Sequence, residues 1–290
     1  MTIHSPIRAP SLRWSLAILV FLGAAGDVLP QEAPAAPASA GLSHAGLGPA
    51  GLGPAGLGHV GRPLPIDFAI DRSVTIPPAA THHYGREIAQ TMHFTGAPWL
   101  VRQSRQREED CRMLLDALDV RPGQKVCDMG CGNGFYTLEL ARMVGEEGLV
   151  YAVDIQPEML RMLAERAGYE GLTNIRPVLG TPIDPRLPAG DIDLCLCVDV
   201  YHEFSHPGPM LDRIRESLAE SGRIALVEFR GEDPAVPIKP LHKMTKAQIR
   251  AELGPAGFEV VREFDRLPWQ HLVFLGGAVG DSGPPKAKNP

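Results

Sequence analysis

The sequence predicts an α/β protein built on a doubly wound, mostly parallel sheet whose last strand runs antiparallel. Three observations carry that expectation. From about residue 84, short continuous apolar runs alternate with segments of helical periodicity. The first of these runs ends in "VCDMGCGNGFYT", residues 126–137, where Gly130, Gly132 and Gly134 occupy every second position before a helical pattern begins. At the other end, "GFEVVREFDRLPWQHLVFLGG" holds two strand-like runs joined by a short loop with no helix between them, which calls for antiparallel pairing.

The N-terminus stands apart from this pattern. "MTIHSPIRAPSLRWSLAILVFLGAAGDVLP" has a basic start (Arg8, Arg13), an apolar run from Leu16 to Ala25 and a small-residue stretch at Ala24–Gly26. That layout predicts a secretory signal over residues 1–26. The run falls short of the about 20 apolar residues that a membrane span requires, so no stable span is expected. Residues 40–61 repeat a five-residue unit four times (AGLSH, AGLGP, AGLGP, AGLGH), a period that excludes collagen. The only charge between Gln31 and Gly61 is Glu32. A segment so poor in bulky apolar groups cannot offset its chain entropy, which predicts a disordered linker over 27–83. A folded domain is expected over 84–277 and a disordered tail over 278–290.

Within the domain, residues 84–120 read as a helical extension, with Met113, Leu114, Ala117 and Leu118 on one side, ended by Pro122–Gly123. Strand "KVCDMG" leads to helix "GFYTLELARMVG"; strand "LVYAVDI" leads to helix "PEMLRMLAERAG", with Pro157 suited to a first helical position. "NIRPVLG" and "IDLCLCVDV" follow as strands, then a helix from about Gly208 to Ala219, strand "RIALVEFR", and helix "TKAQIRAELGPAG" with Thr245 as its cap. Strands that are apolar throughout are expected where helices cover both faces of the sheet.

The formal net charge of −6 and the lack of a dense basic stripe give no reason to expect nucleic acid. The five cysteines, Cys111, Cys127, Cys131, Cys195 and Cys197, form no disulfide framework. Those in strands read as small buried hydrophobes. His82–His83 has no further ligands nearby in sequence, and no metal is expected.

Ligands of open α/β sheets bind beyond the carboxyl ends of the strands, which makes the loop after the first strand the prime position. Its spacing is G-x-G-x-G, with Phe135 where a dinucleotide fingerprint has its third glycine. Asp128 in front of it would repel a pyrophosphate but suits a cationic ligand. Asp154 ends the second strand, 20 residues after Gly134, where a carboxylate can hold both hydroxyls of a ribose.

These stretches, Asp128-x-Gly130-x-Gly132-x-Gly134, "VDIQPEML" with Asp154, and "DIDLCLCVDVYHEF", together with the final antiparallel strand "HLVFLGG", resemble the class I S-adenosylmethionine-dependent methyltransferases over about residues 84–277. The resemblance implies a Rossmann-like seven-stranded sheet, S-adenosylmethionine as cofactor and a small-molecule methyl acceptor. It implies that Asp128 and the three glycines surround the methionine end, that Asp154 holds the ribose and that Ile155 packs on the adenine. Family members often carry an acidic residue directly after the third strand's glycine. Here Thr181, Pro182 and Ile183 intervene, leaving Asp184 as the adenine-side candidate, with Asp199 a further cofactor contact.

The segment after the fourth strand should face the acceptor. His202 is the candidate base and Glu203 its neighbour. Asp199-Val200-Tyr201-His202 stands where amino-group methyltransferases carry Asn-Pro-Pro-Tyr, which argues against that subclass. The placement of the cysteines within strands argues against arsenic methylation. "MHFTGAPWLVRQSR" and "KPLHKMTK" read as lids, in which Trp99, His93 and His242 are possible contacts. Two alternatives stay open: an NAD-dependent oxidoreductase, and a non-catalytic exported module that binds a nucleoside. The signal layout predicts an exported or envelope protein, against a cytoplasmic one if the signal is unused, although the implied cofactor is a cytosolic metabolite.

Overall fold

A computed structural model of the chain describes residues 64–66 and 75–277. The expected signal segment, the five-residue repeats, most of the expected linker and the C-terminal tail lie outside the described residues.

Seven strands form the main sheet: β1 (Lys125–Met129), β2 (Leu149–Asp154), β3 (Ile175–Leu179), β4 (Ile192–Val198), β5 (Leu218–Arg230), β6 (Phe258–Phe264) and β7 (Gln270–Gly277). Their order is 3-2-1-4-5-7-6. β1 lies parallel to β2 on one side and to β4 on the other, and the chain reverses direction away from β1 in both halves. β7 runs antiparallel to both β5 and β6, as the missing crossover helix requires. A two-residue strand, Lys243–Met244, adds to the end of β5 beyond the seven that the sequence predicts.

The helices are α1 (Cys111–Leu118), α2 (Phe135–Val144), α3 (Pro157–Tyr169), α4 (Pro207–Ser217) and α5 (Lys246–Leu253). α1, α2 and α3 pack on the sheet face carrying Val126, Leu194, Leu196, Val227 and Phe274. α4 and α5 pack on the face carrying Cys127, Cys195, Cys197, Leu226 and Val273. Alternate residues of one strand therefore enter opposite cores, and the strands read as unbroken apolar runs because neither face meets water. All five cysteines are free and buried, and for Cys127, Cys195 and Cys197 this is in keeping with their reading as small hydrophobes.

Two local expectations differ. The helical extension is broken: a two-residue ladder pairs His82–His83 with Arg86–Glu87, and short helices at Ala97–Leu100 and Arg105–Glu109 precede α1. Asp110, at φ 49°, ends one helix and caps the next, its carboxylate accepting from Met113 N at 3.2 Å. α4 stops at Ser217, two residues before its expected end, because Leu218 turns to extended backbone and pairs with Ile192. The chain before residue 84 also reaches the domain: Ala80 N donates to Ser205 O and His206 Nε2 to Pro77 O, each at 3.0 Å.

Thr245 caps α5 as expected, within a full capping box with Gln248. Thr245→Ala should lower the unfolding free energy by about 1 kcal/mol, read from the midpoint of a chemical denaturation curve.

Candidate active site

A cavity of about 600 Å³ opens over the carboxyl ends of β1, β2, β3 and β4. Gly130, Gly132, Asp154, Ile155 and Thr181 line one half; Asp199, His202, Glu203 and His242 line the other. The segment from Met92 to Arg105 supplies Met92, Trp99, Leu100 and Arg102, and Lys239 joins from the opposite rim, so both stretches read as lids from the sequence face the cavity.

The first half is built on the glycine loop. Gly130 and Gly132 have φ of 65° and 53°, backbone that a side chain strains to adopt. A Cβ at Gly130 would collide with the Val200 side chain, and one at Gly132 with that of Leu100. Gly134 serves elsewhere, capping α2 against Leu163. The bare loop is held to β2 by Asp154, whose Oδ2 accepts from Gly132 N at 2.9 Å and whose Oδ1 accepts from Gln156 N at 2.8 Å. Burial pushes the Asp154 carboxyl up to about 6, because no cationic side chain offsets its desolvation and only backbone N–H groups hold it down. Gln156 also fastens the lid, accepting from Phe94 N at 2.8 Å and donating to Met92 O at 2.9 Å.

Asp128 lies beneath the loop and is not among the cavity-lining residues. Its carboxylate accepts from Thr137 Oγ1 at 2.5 Å, and burial pushes it up to about 6 as well. It ties the end of β1 to the first turn of α2. Asp184 also stands off the cavity: its Oδ1 accepts from Arg186 N at 2.7 Å in a tight turn, and Thr181 and Pro182 occupy the wall instead. Ile155, 40% exposed, lies at the open edge on the cofactor half.

The second half is built on a tight turn at Tyr201–Glu203 after β4. Both oxygens of Glu228, a fully buried residue of β5, reach His202: Oε2 lies 2.6 Å from the ring Nδ1, and Oε1 accepts from His202 N at 3.3 Å. The other ring nitrogen, Nε2, lies 3.0 Å from His242 Nδ1. Burial acts to lower the His202 pKa, but the Glu228 carboxylate outweighs it and the ring ends above the ordinary histidine value. His242 is lowered, by burial first and by His202 second. Glu203 is pushed up to about 7 by burial, opposed by His202 and by Met92 N, which donates to its Oε2 at 3.3 Å. Asp199 sits at φ 50° with its Oδ2 accepting from Gln270 Nε2 at 2.7 Å. Burial and the nearby Glu109 and Glu228 carboxylates hold its carboxyl well above the usual range.

Of the candidates read from the sequence, Gly130, Gly132, Asp154, Ile155, Asp199, His202 and Glu203 meet at this cavity, and Trp99 and His242 with them. His93 does not line it; its ring accepts from Thr95 N. The sequence reading passed over Glu228, Gln156 and Gln270. Glu228 carried a signal: it is an acidic residue inside the otherwise apolar run "IALVEF" of a central strand.

Residues 121–257 match the family description of a methyltransferase domain. Nocamycin O-methyltransferase of Saccharothrix syringae is 36% identical over 115 residues, 40% of this chain and 41% of that protein. Aklanonic acid methyltransferase of a Streptomyces strain is 33% identical over 131 residues, 43% of this chain and 59% of its own length. The chain thus spans about two to three fifths of the length of these curated relatives. An Aquifex aeolicus structure described as a SAM-dependent methyltransferase superposes with a TM-score of 0.60 at 25% identity, over 64% of this chain and 98% of that one. No oxidoreductase reading gains support from these matches. With its glycine loop, strand order and antiparallel β7, the chain carries a methyltransferase domain over residues 121–257 on a Rossmann-like sheet, and is similar there to the S-adenosylmethionine-dependent methyltransferases.

Proposed function

We propose that this chain transfers a methyl group from S-adenosylmethionine to a hydroxyl oxygen of a small organic acceptor. The observation that carries the reading is one cavity with two chemically distinct halves: a side-chain-free loop beside Asp154, and a His202–Glu228 pair facing it.

The residues present fit the cofactor. Asp154 is a buried carboxylate with no cationic side chain as its partner, bordering space that only glycines leave open. A ligand that brings hydroxyl donors and positive charge satisfies it. Asp154 would hold the ribose hydroxyls and Gly130–Gly132 the methionine end, with Ile155 against the base. When bound, S-adenosylmethionine supplies a methyl carbon already activated by its sulfonium. The chain's part is to align the acceptor, exclude water beneath Met92 and Trp99, and remove a proton.

His202 is the group placed for that proton. Its Nδ1–H faces the buried Glu228 carboxylate, which fixes the ring and leaves Nε2 as the acceptor on the cavity side. A module that only binds a nucleoside has no use for this arrangement, since burying a Glu–His pair away from water costs desolvation energy. The hydroxyl acceptor also accords with the names of relatives that methylate nocamycin and aklanonic acid, the first of them as an O-methyltransferase. Export remains a proposal resting on residues 1–26. An intact Met1 found by mass spectrometry in a cytosolic fraction overturns it. Among the described residues, no helix is long and apolar enough to cross a membrane.

Three measurements check the reading. Asp154→Ala should weaken S-adenosylmethionine binding by about 2–3 kcal/mol, about 30- to 150-fold by calorimetry; unchanged affinity contradicts the ribose role. His202→Gln should lower kcat on hydroxylated acceptors by about 100- to 10,000-fold while cofactor affinity is kept, with turnover followed as S-adenosylhomocysteine. Because Glu228 raises the His202 pKa, Glu228→Gln should move the ring's NMR titration midpoint down. A midpoint that stays put means another group sets it.

A further inference from the structure

Three side chains at the acceptor end of the cavity have a geometry that methyl transfer alone does not require. His202 Nε2, His242 Nδ1 and Glu203 Oε1 form a small triangle with edges of 3.0, 3.8 and 3.9 Å. The point equidistant from the three atoms lies about 2.1 Å from each, the length of a zinc–imidazole or zinc–carboxylate bond. Drawing the two longer edges in by a few tenths of an ångström, towards the about 3.4 Å of a tetrahedron, lifts an ion out of that plane and leaves its fourth position directed at the cavity.

We propose that His202, His242 and Glu203 form a binding site for a divalent transition ion of the zinc type, open to the methyl acceptor. The donor set selects the class of ion. Two imidazoles and one carboxylate suit zinc, cobalt or iron(II), whereas magnesium and calcium demand shells of oxygen. The surroundings supply what such sites need outside the ligands themselves. Glu228 Oε2 accepts the Nδ1–H of His202 at 2.6 Å and so commits Nε2 to the ion. Met92 N holds the second oxygen of Glu203 at 3.3 Å and leaves Oε1 free to ligate. The His242 side chain is 33% exposed, which gives the ion a path in. Among the described residues, this is the one group of three such donors close enough together to share an ion.

Occupancy of the site stands on this geometry; its use rests on the methyl-transfer reading. The open position takes the acceptor's hydroxyl oxygen, whose proton passes to solvent water. The oxygen's lone pair then forms the bond to the methyl carbon, and the carbon–sulfur electron pair leaves on sulfur. With the ion bound, His202 acts as a ligand and the ion takes over the activation.

The test uses the full chain without a polyhistidine tag, stripped by chelator and titrated with Zn(II) or Co(II) alone. One ion per chain should bind with micromolar or tighter affinity, and Co(II) should show the visible band of a four-coordinate nitrogen–oxygen site. His242→Ala and Glu203→Gln should each weaken binding about 100-fold or more, and Glu228→Gln about 10- to 100-fold. His82→Ala, outside the cavity, should bind as wild type. His242 and Glu203 lie at the cavity wall, and circular dichroism confirms that their variants fold. No saturable binding, or wild-type affinity in both of those variants, overturns the site. Calorimetry with S-adenosylmethionine on the stripped protein separates the two readings: cofactor binding without ion binding ends this one, and ion binding without cofactor binding ends the methyl-transfer reading.

Discussion

A parallel sheet covered by helices on both faces has nowhere to put a charge except at the ends of its strands. In this chain Val126, Cys127, Leu194, Cys195, Leu196 and Ala225 are fully or almost fully buried, split between two cores. A carboxylate in the middle of such a strand would lose its hydration with no backbone donor free to replace it, because every N–H of the strand is engaged in the ladder. At the strand tip the ladder stops and free donors appear. Asp154 shows the consequence: it is the last residue of β2, and it takes N–H groups from Gly132 and Gln156, both in loops. The location of the site therefore follows from how the core is built, before any particular chemistry is considered.

Glu228 and Asp199 illustrate how close to that limit the acceptor side goes. Glu228 is two residues from the end of β5 and has no exposure, and both its oxygens are engaged by His202. Asp199 has no comparable partner: one oxygen receives Gln270, the other has none among the described residues, and burial pushes the carboxyl well above the usual range.

What could be read from the sequence divides along the same physical line. The strand–helix alternation, the antiparallel β7, the glycine loop and Asp154 are local signals, because periodicity, turn residues and strand-end carboxylates belong to a few consecutive positions. Asp128 and Asp184 were read from the same local pattern, yet the folded chain turns one carboxylate down onto Thr137 and the other into its own turn, choices that depend on rotamers the pattern does not encode. The pairing of His202 with Glu228 spans 26 residues and that with His242 spans 40. Contacts of that separation are set by which strands become neighbours and by where a lid lands. His242 and His202 therefore read singly as a possible lid contact and a strand-end base, and only the fold makes them one cluster.

The segment ahead of the sheet explains why that cluster is stiff. Arg86 meets Glu252 of α5 through two bonds of 2.7 and 2.9 Å, and Tyr201 donates to the same carboxylate at 3.0 Å. A buried ion pair of this kind contributes little net stability, since desolvation consumes most of the attraction. Its geometry does the useful part. Arg86 Nη1 reaches His202 O at 3.0 Å, and Ala89 N donates to the same oxygen at 3.2 Å. The carbonyl of His202 is thereby fixed from the N-terminal segment, its N–H from β5 and its ring from Glu228. Held at three points, two of them by the oxygens of Glu228, the imidazole has little rotational freedom to lose on meeting its ligand. Residues that touch no ligand themselves, Arg86 and Glu252 above all, thus reach the chemistry through the backbone they immobilise.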